Sequence, residues 1–168
     1  TKGKRHQDAI EALALLRRKE VVLAFAGTGP LEGRVRARAE KLGVGEQVRF
    51  LGFRRDVPVL MRGSRATLLT SEREGFPRVV MESMALGVPV IGTDIRGTRD
   101  LLANGGGILV RVGDVEGLAR AMEYLLDRPE EAVKLGEEGR QGVRPYALEH
   151  VLKLHERLYE EVLAVAHA

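Results

Sequence analysis

The chain has neither cysteine nor tryptophan among its 168 residues. Without cysteine it can build no disulfide framework and no thiolate-ligated metal centre, which suits a reducing interior and argues against a small secreted scaffold. Aromatics are scarce, with 4 Phe and 3 Tyr, so the core must rest on Leu, Val, Ile and Ala. No apolar run approaches the ~20 residues that span a bilayer, and no signal-peptide pattern opens the sequence. A strong charge of one sign is missing too: 27 Lys and Arg against 24 Asp and Glu leave a net charge of +3. The arginines are spread without aromatic interleaving, so the footprint of a nucleic-acid binder is absent. The histidines (His6, His150, His155 and His167) show no metal-ligand spacing and read as surface residues. Abundant Arg, Glu and Ala without Cys is a composition that suits a thermostable protein.

What is present is an alternation of helix and strand in one domain, 1–168, long enough to bury a core. Residues 7–17 place Ile10, Leu13 and Ala14 on one helical face. Residues 21–26 form a continuous apolar run, the pattern of a strand buried on both faces. Helix 32–42, ended by Gly43, strand 48–51, helix 57–62 and strand 66–70 follow. Helix 76–86, stopped by Gly87, leads to strand 88–93, a short helix 98–102 and strand 108–112. Asp114 is placed to cap helix 115–126, and helices 130–142 and 147–166 close the chain. Five β-α repeats with short connections predict an α/β fold, a Rossmann-like doubly wound parallel sheet with helices on both faces.

The most informative stretch is 74–91, E-G-F-P-R-V-V-M-E-S-M-A-L-G-V-P-V-I. Glu74 precedes a helix and Glu82 lies about two turns into it, so both can border one cleft mouth. Between them the helix start offers unpaired backbone N–H groups and a positive dipole end, which suit a phosphate. Pro77 fits the first helical position, where a missing N–H costs nothing. One carboxylate could reach a sugar and the other a ribose, with a diphosphate between.

This Glu-x7-Glu segment resembles the donor-site signature of retaining glycosyltransferases with the GT-B fold, and most closely their large family 4. Residues 21–30 (V-V-L-A-F-A-G-T-G-P), 48–57 (V-R-F-L-G-F-R-R-D-V) and 93–101 (T-D-I-R-G-T-R-D-L) resemble further landmarks of that family, in the family's order. The resemblance implies a nucleotide-sugar-binding domain forming the C-terminal half of such an enzyme. The enzyme would transfer a hexosyl unit from a UDP- or GDP-linked donor to an acceptor hydroxyl with retention, in polysaccharide or glycolipid synthesis. It implies no obligatory metal or other cofactor.

Lys4 matches the family's diphosphate-binding lysine, with Lys2 as the competing alignment and Arg5 where glycine is usual. Glu74 would hold donor-sugar hydroxyls, and the turn Gly75-Phe76-Pro77-Arg78-Val79 would offer N–H groups to sugar and phosphate, Pro77 removing one. Glu82 would accept both ribose hydroxyls. Gly29, in the Gly27-Thr28-Gly29-Pro30 turn, would line the cleft, and Phe53 and Arg54 would pack on the base. Arg96 and Arg99 could face the cleft or the surface, and the surface is favoured.

The family also implies an apolar strand and a Gly-Arg pair upstream of Lys4, with that strand in the middle of the sheet. The chain is therefore expected to be a fragment, lacking that strand and an N-terminal acceptor domain that would bind a glycan or a lipid-linked sugar. Alone it would bind nucleotide weakly and transfer little sugar. Family analogy places such enzymes in the cytoplasm, at times peripherally at the inner membrane face. The alternatives are a nucleotide-sugar 2-epimerase of the same fold and a non-enzymatic flavodoxin-like or receiver-type module. The latter would need an acidic cluster or flavin-phosphate loop that the sequence does not show.

Overall fold

The computed structural model describes residues 2–166; His167 lies outside them, as does the side chain of Lys2. Five parallel strands appear among these residues: β1 (Leu23–Phe25), β2 (Val48–Phe50), β3 (Thr67–Leu69), β4 (Val90–Thr93) and β5 (Gly107–Val110). Between and after them come α1 (His6–Leu16), α2 (Glu32–Lys41), α3 (Val57–Arg62), α4 (Arg78–Ala85), α5 (Arg96–Leu102), α6 (Val115–Asp127), α7 (Pro129–Gly142) and α8 (Leu148–Ala166). The expected alternation of helix and strand is present, and the fold is α/β with parallel pairing throughout. Gly87, at φ +70°, ends α4 where a side chain would be strained. The Asp114 carboxylate caps α6 by accepting from the Gly117 N–H at 2.7 Å.

Among the described residues the strands pair in two groups, β1 with β2 and β3, β4 and β5 in that order, as expected of a doubly wound sheet without its middle strand. Among the described residues no strand pairs with the other edge of β1 or of β3. One expectation needs correction: residues 21–26 are not a strand buried on both faces. Leu23 is buried and Phe25 packs against the core, but Val22 is 56% exposed and Ala24 is open. Side chains alternate across a strand, and helices of the described chain cover one face of β1 and β2 only. In the second sheet the central strand is covered on both faces, and all of Val90–Thr93 is buried.

One cluster of apolar side chains joins the halves. Ile10, Leu13 and Leu16 of α1 pack with Leu23, Val48, Ile91, Val110, Leu118 and Leu125. Helix α1 lies chiefly on α6 and next on α2, so it bridges the elements that follow the two sheets. A second cluster, with Leu69, Val80, Met84, Val90, Leu101 and Leu102, seats α4 and α5 against the second sheet. Ile10, Leu13, Val80, Met84 and Leu125 are at most 1% exposed, and each such side chain contributes roughly 1.5–3 kcal/mol of transfer free energy.

His6 is not a surface residue as expected. It is half-buried at the start of α1, edge-on to Phe25 at 5.4 Å between ring centroids, and Phe25 stacks on Phe50. Burial, with neighbouring positive charge including Lys4, lowers its pKa below the ordinary 6.5. The unfolded chain therefore binds the proton more readily, and folding stability falls as pH drops below about 6.5 until the lowered folded pKa is passed. Thermal melting between pH 5 and 8 should show this decline, and His6→Asn should flatten it.

Candidate functional site

The site begins with a strap. Residues 3–5, ahead of α1, lie across the segment that leaves β3. The Glu72 N–H donates to the Gly3 carbonyl at 2.8 Å, and the Thr70 hydroxyl donates to the Lys4 carbonyl at 2.8 Å. The Arg5 guanidinium reaches Asp8 at 2.7 Å and Glu72 at 2.8 Å. These two partners raise the Arg5 pKa, Asp8 more than Glu72, so its charge is fixed at any working pH. Arg5 holds a left-handed backbone at φ 47°, a conformation that glycine adopts without strain. Asp8 is 5% exposed, so the Arg5 pair is what makes its burial tolerable.

The strap delivers Lys4 to Glu74, with Nζ 2.5 Å from Oε1. These are the two residues expected to carry the chemistry, seventy positions apart in sequence. Glu74 is 18% exposed against 45% for Lys4. Burial alone would raise the Glu74 pKa, but the Lys4 ammonium and the Ser71 hydroxyl outweigh it, and the carboxyl sits below its ordinary 4.5. The Ser71 hydroxyl is buried and has no partner within normal hydrogen-bond limits, so its interaction with Glu74 is longer and weaker than a formed bond.

Helix α4 starts at Arg78, two residues later than expected, because Pro77 adopts an extended ψ of 109° and stands at the cap rather than in the first turn. The Pro77 carbonyl takes the Val80 N–H at 3.0 Å, while the N–H groups of Phe76, Arg78 and Val79 donate to no protein group among the described residues. They are the donors the sequence singled out. Glu82 is exposed on α4, and its contact with Arg78, at 3.5 Å, is too long to hold it.

Other expected residues are less concentrated. A bridge between Gly27 and Gly52 joins the two loops that carry Gly29 and Phe53. Phe53 is 76% exposed, and Arg54 is held by Asp56 at 2.6 and 2.8 Å. No described contact joins either loop to Glu74. Arg96 and Arg99 lie on the surface, and Arg99 pairs with Asp94. Two surface grooves, one beside Arg62, Leu86 and Ala132 and one beside Ile108, Asp114 and Tyr124, contain none of these residues.

Sequence reasoning missed four contributors. Arg5 and Glu72 fix the strap, and only their tertiary pairing reveals it. Tyr146 meets Phe76 edge-on at 5.0 Å and ties the turn before α4 to the segment before α8. Gly97, buried in α5, lies so close that a Cβ there would run into the Gly75 carbonyl and sit 3.1 Å from that of Glu74. The Gly-x-x that follows Asp94-Ile95-Arg96 is the one sequence signal that could have pointed to it.

A structure of a glycosyltransferase from Rickettsia africae superposes with a TM-score of 0.88 at 25% identity, over 97% of this chain and 45% of that one. The fold is thus a GT-B-type glycosyltransferase domain. Residues 1–142 match the family model described as glycosyl transferases group 1, and the chain belongs to that family. Membership removes the flavodoxin-like and receiver-type alternatives. Among curated relatives, the Bacillus subtilis glycosyltransferase EpsD is 40% identical over 142 residues, 83% of this chain and 37% of its own length. The N-acetyl-alpha-D-glucosaminyl L-malate synthase of Bacillus anthracis is 34% identical over 165 residues, 96% of this chain and 43% of its own. The chain therefore spans about two-fifths of the length of these relatives. No described helix is long and apolar enough to cross a membrane.

Gly97 gives a direct test of how tightly the Glu74 loop is held. Gly97→Ala should cost ~1–3 kcal/mol because the obstacle is backbone. Gly33→Ala, in α2 with open space around it, should instead leave stability unchanged or raise it by up to ~1 kcal/mol. Urea unfolding of both variants measures the contrast.

Proposed function

We propose that this chain is the donor-binding, C-terminal domain of a retaining family 4 glycosyltransferase. The whole enzyme would move a hexosyl unit from a nucleoside-diphosphate sugar to an acceptor hydroxyl. The observation that carries the reading is the convergence of Lys4, Glu74 and the open N–H groups of Phe76, Arg78 and Val79 at one strand end. A cation and a helix start beside an orienting carboxylate suit a diphosphate leaving group bonded to a sugar.

In this reading the diphosphate lies at the start of α4. The Lys4 ammonium and the free N–H groups take up the charge that grows on it as the glycosidic bond breaks. Glu74 accepts from hydroxyls of the donor sugar and sets its orientation. Glu82, exposed and not held by Arg78, accepts both ribose hydroxyls. Phe53, open beside the Gly27–Gly52 bridge, offers a surface for the base. The acceptor, a glycan or lipid-linked sugar in polysaccharide or glycolipid synthesis, belongs to an N-terminal domain that closes over the donor. A strand from upstream would pair with the free edges of β1 and β3 and complete one sheet. The cytoplasm, with or without peripheral membrane contact, is the compartment consistent with such a donor.

Calorimetric titration with UDP, GDP and ADP tests the reading. One of UDP or GDP should bind selectively, and Glu82→Ala should weaken it at least ~tenfold through loss of a bidentate charge-assisted contact. In an enzyme extended to full length, Glu74→Ala should mainly lower turnover. Equal nucleotide affinity in the Glu82 variant would remove that residue from the donor site.

A further inference from the structure

The two residues that the donor would need separately are spent on each other. Lys4 and Glu74 form one ion pair at 2.5 Å, the only described partner of the Lys4 ammonium and the charged partner of Glu74. A donor cannot add to this arrangement, because the phosphate needs the ammonium and the sugar hydroxyls need the carboxylate. Resting on the donor-site reading above, we infer that donor binding proceeds by ion-pair exchange: the diphosphate takes Lys4 away from Glu74, and the carboxylate so released is captured by the sugar hydroxyls.

The surroundings fit an exchange rather than a permanent structural bridge. The Lys4 side chain is 45% exposed, so its ammonium can change partners without any opening of the core. Its backbone cannot wander, because Gly3 and Lys4 carbonyls accept from Glu72 and Thr70 and because Arg5 is anchored to Asp8 and Glu72. Strap and ammonium thus have separate anchors, and the ammonium can move while the strap stays. Glu74 has a different problem. It is mostly buried, and loss of Lys4 would leave a carboxylate with only the nearby Ser71 hydroxyl, itself buried and unpartnered. An unpaired carboxylate at such a site is costly, and hydroxyl donors from a sugar remove that cost.

Diphosphate and sugar therefore bind cooperatively. A nucleoside diphosphate without its sugar must break the pair and leave Glu74 uncompensated, whereas the complete donor replaces both halves.

The test is a double-mutant cycle on the full chain, titrated calorimetrically with UDP and with GDP. Glu74→Gln removes the carboxylate charge and frees Lys4, so the better-bound nucleotide should gain ~3–10-fold in affinity. Removal of a negative charge near an anion site would strengthen binding by field alone, whether or not Lys4 is involved. The cycle separates the two: exchange requires that the gain from Glu74→Gln be clearly smaller when Lys4→Ala is already present, whereas a field effect gives the same gain in both backgrounds. Melting temperatures of the three variants establish that each is folded at the titration temperature. An equal gain in the Lys4→Ala background, or no gain in Glu74→Gln while the unchanged chain binds, overturns the exchange and leaves the donor site standing. Absence of UDP and GDP binding by every variant, including the unchanged chain, removes the donor reading and the exchange with it.

Discussion

The two sheets share no strand pairing, so their relative position rests on side-chain packing and on the strap. Helix α1 carries this constraint: Ile10 and Leu13 are nearly devoid of solvent contact and pack among residues from both sheets. The segment that enters α1 is in turn stitched to the end of β3 by the Gly3 and Lys4 carbonyls and by Arg5. Apolar burial sets the distance between the halves, and directional polar contacts set the register of residues 3–5. The site depends on both, because Lys4 comes from the strap and Glu74 from the loop that the strap crosses.

That arrangement explains the ion pairs made by residues 4 and 5. A buried Asp8 and a mostly buried Glu74 are each tolerated because a cation is delivered to them, Arg5 to one and Lys4 to the other. The two pairs differ in availability. Arg5 divides its planar donors between Asp8 and Glu72 and acts as a fastener, while Lys4 presents a single exposed ammonium. Adjacent residues thus carry a doubly anchored cation and a more exposed one. The close approach of Gly97 to the Gly75 carbonyl fixes the other side of the same loop, so Glu74 is framed by backbone on one face and by the strap on the other.

Much of this was legible in the chain. The β-α alternation, the glycine that ends α4, the Asp114 cap and the Glu-x7-Glu segment at a helix start are local features, each written in a few consecutive residues. The misreadings share a physical origin. The run 21–26 is apolar throughout, and hydropathy alone cannot tell a strand covered on both faces from one covered on a single face. Where the sheet divides was not written in any one segment, because pairing depends on which strands are present as neighbours, and β1 and β3 have none on their other edges among the described residues. His6 read as surface because its burial comes from Phe25, nineteen positions away. Pro77 stands one step earlier than expected because its ψ is extended, which puts it outside the helix it introduces.

The sequence by itself determined the fold class, the family, and the identity of Lys4, Glu74 and Glu82 as residues of interest, since periodicity and motif spacing are properties of short segments. Only the tertiary structure decided that Lys4 and Glu74 are partners, that Arg5 and Glu72 hold the strap, and that Gly97 limits the Glu74–Gly75 loop. These are contacts between segments up to seventy residues apart. No local pattern encodes them, because they exist only once α1 has been packed against α6 and the chain entering it has been drawn across the end of β3.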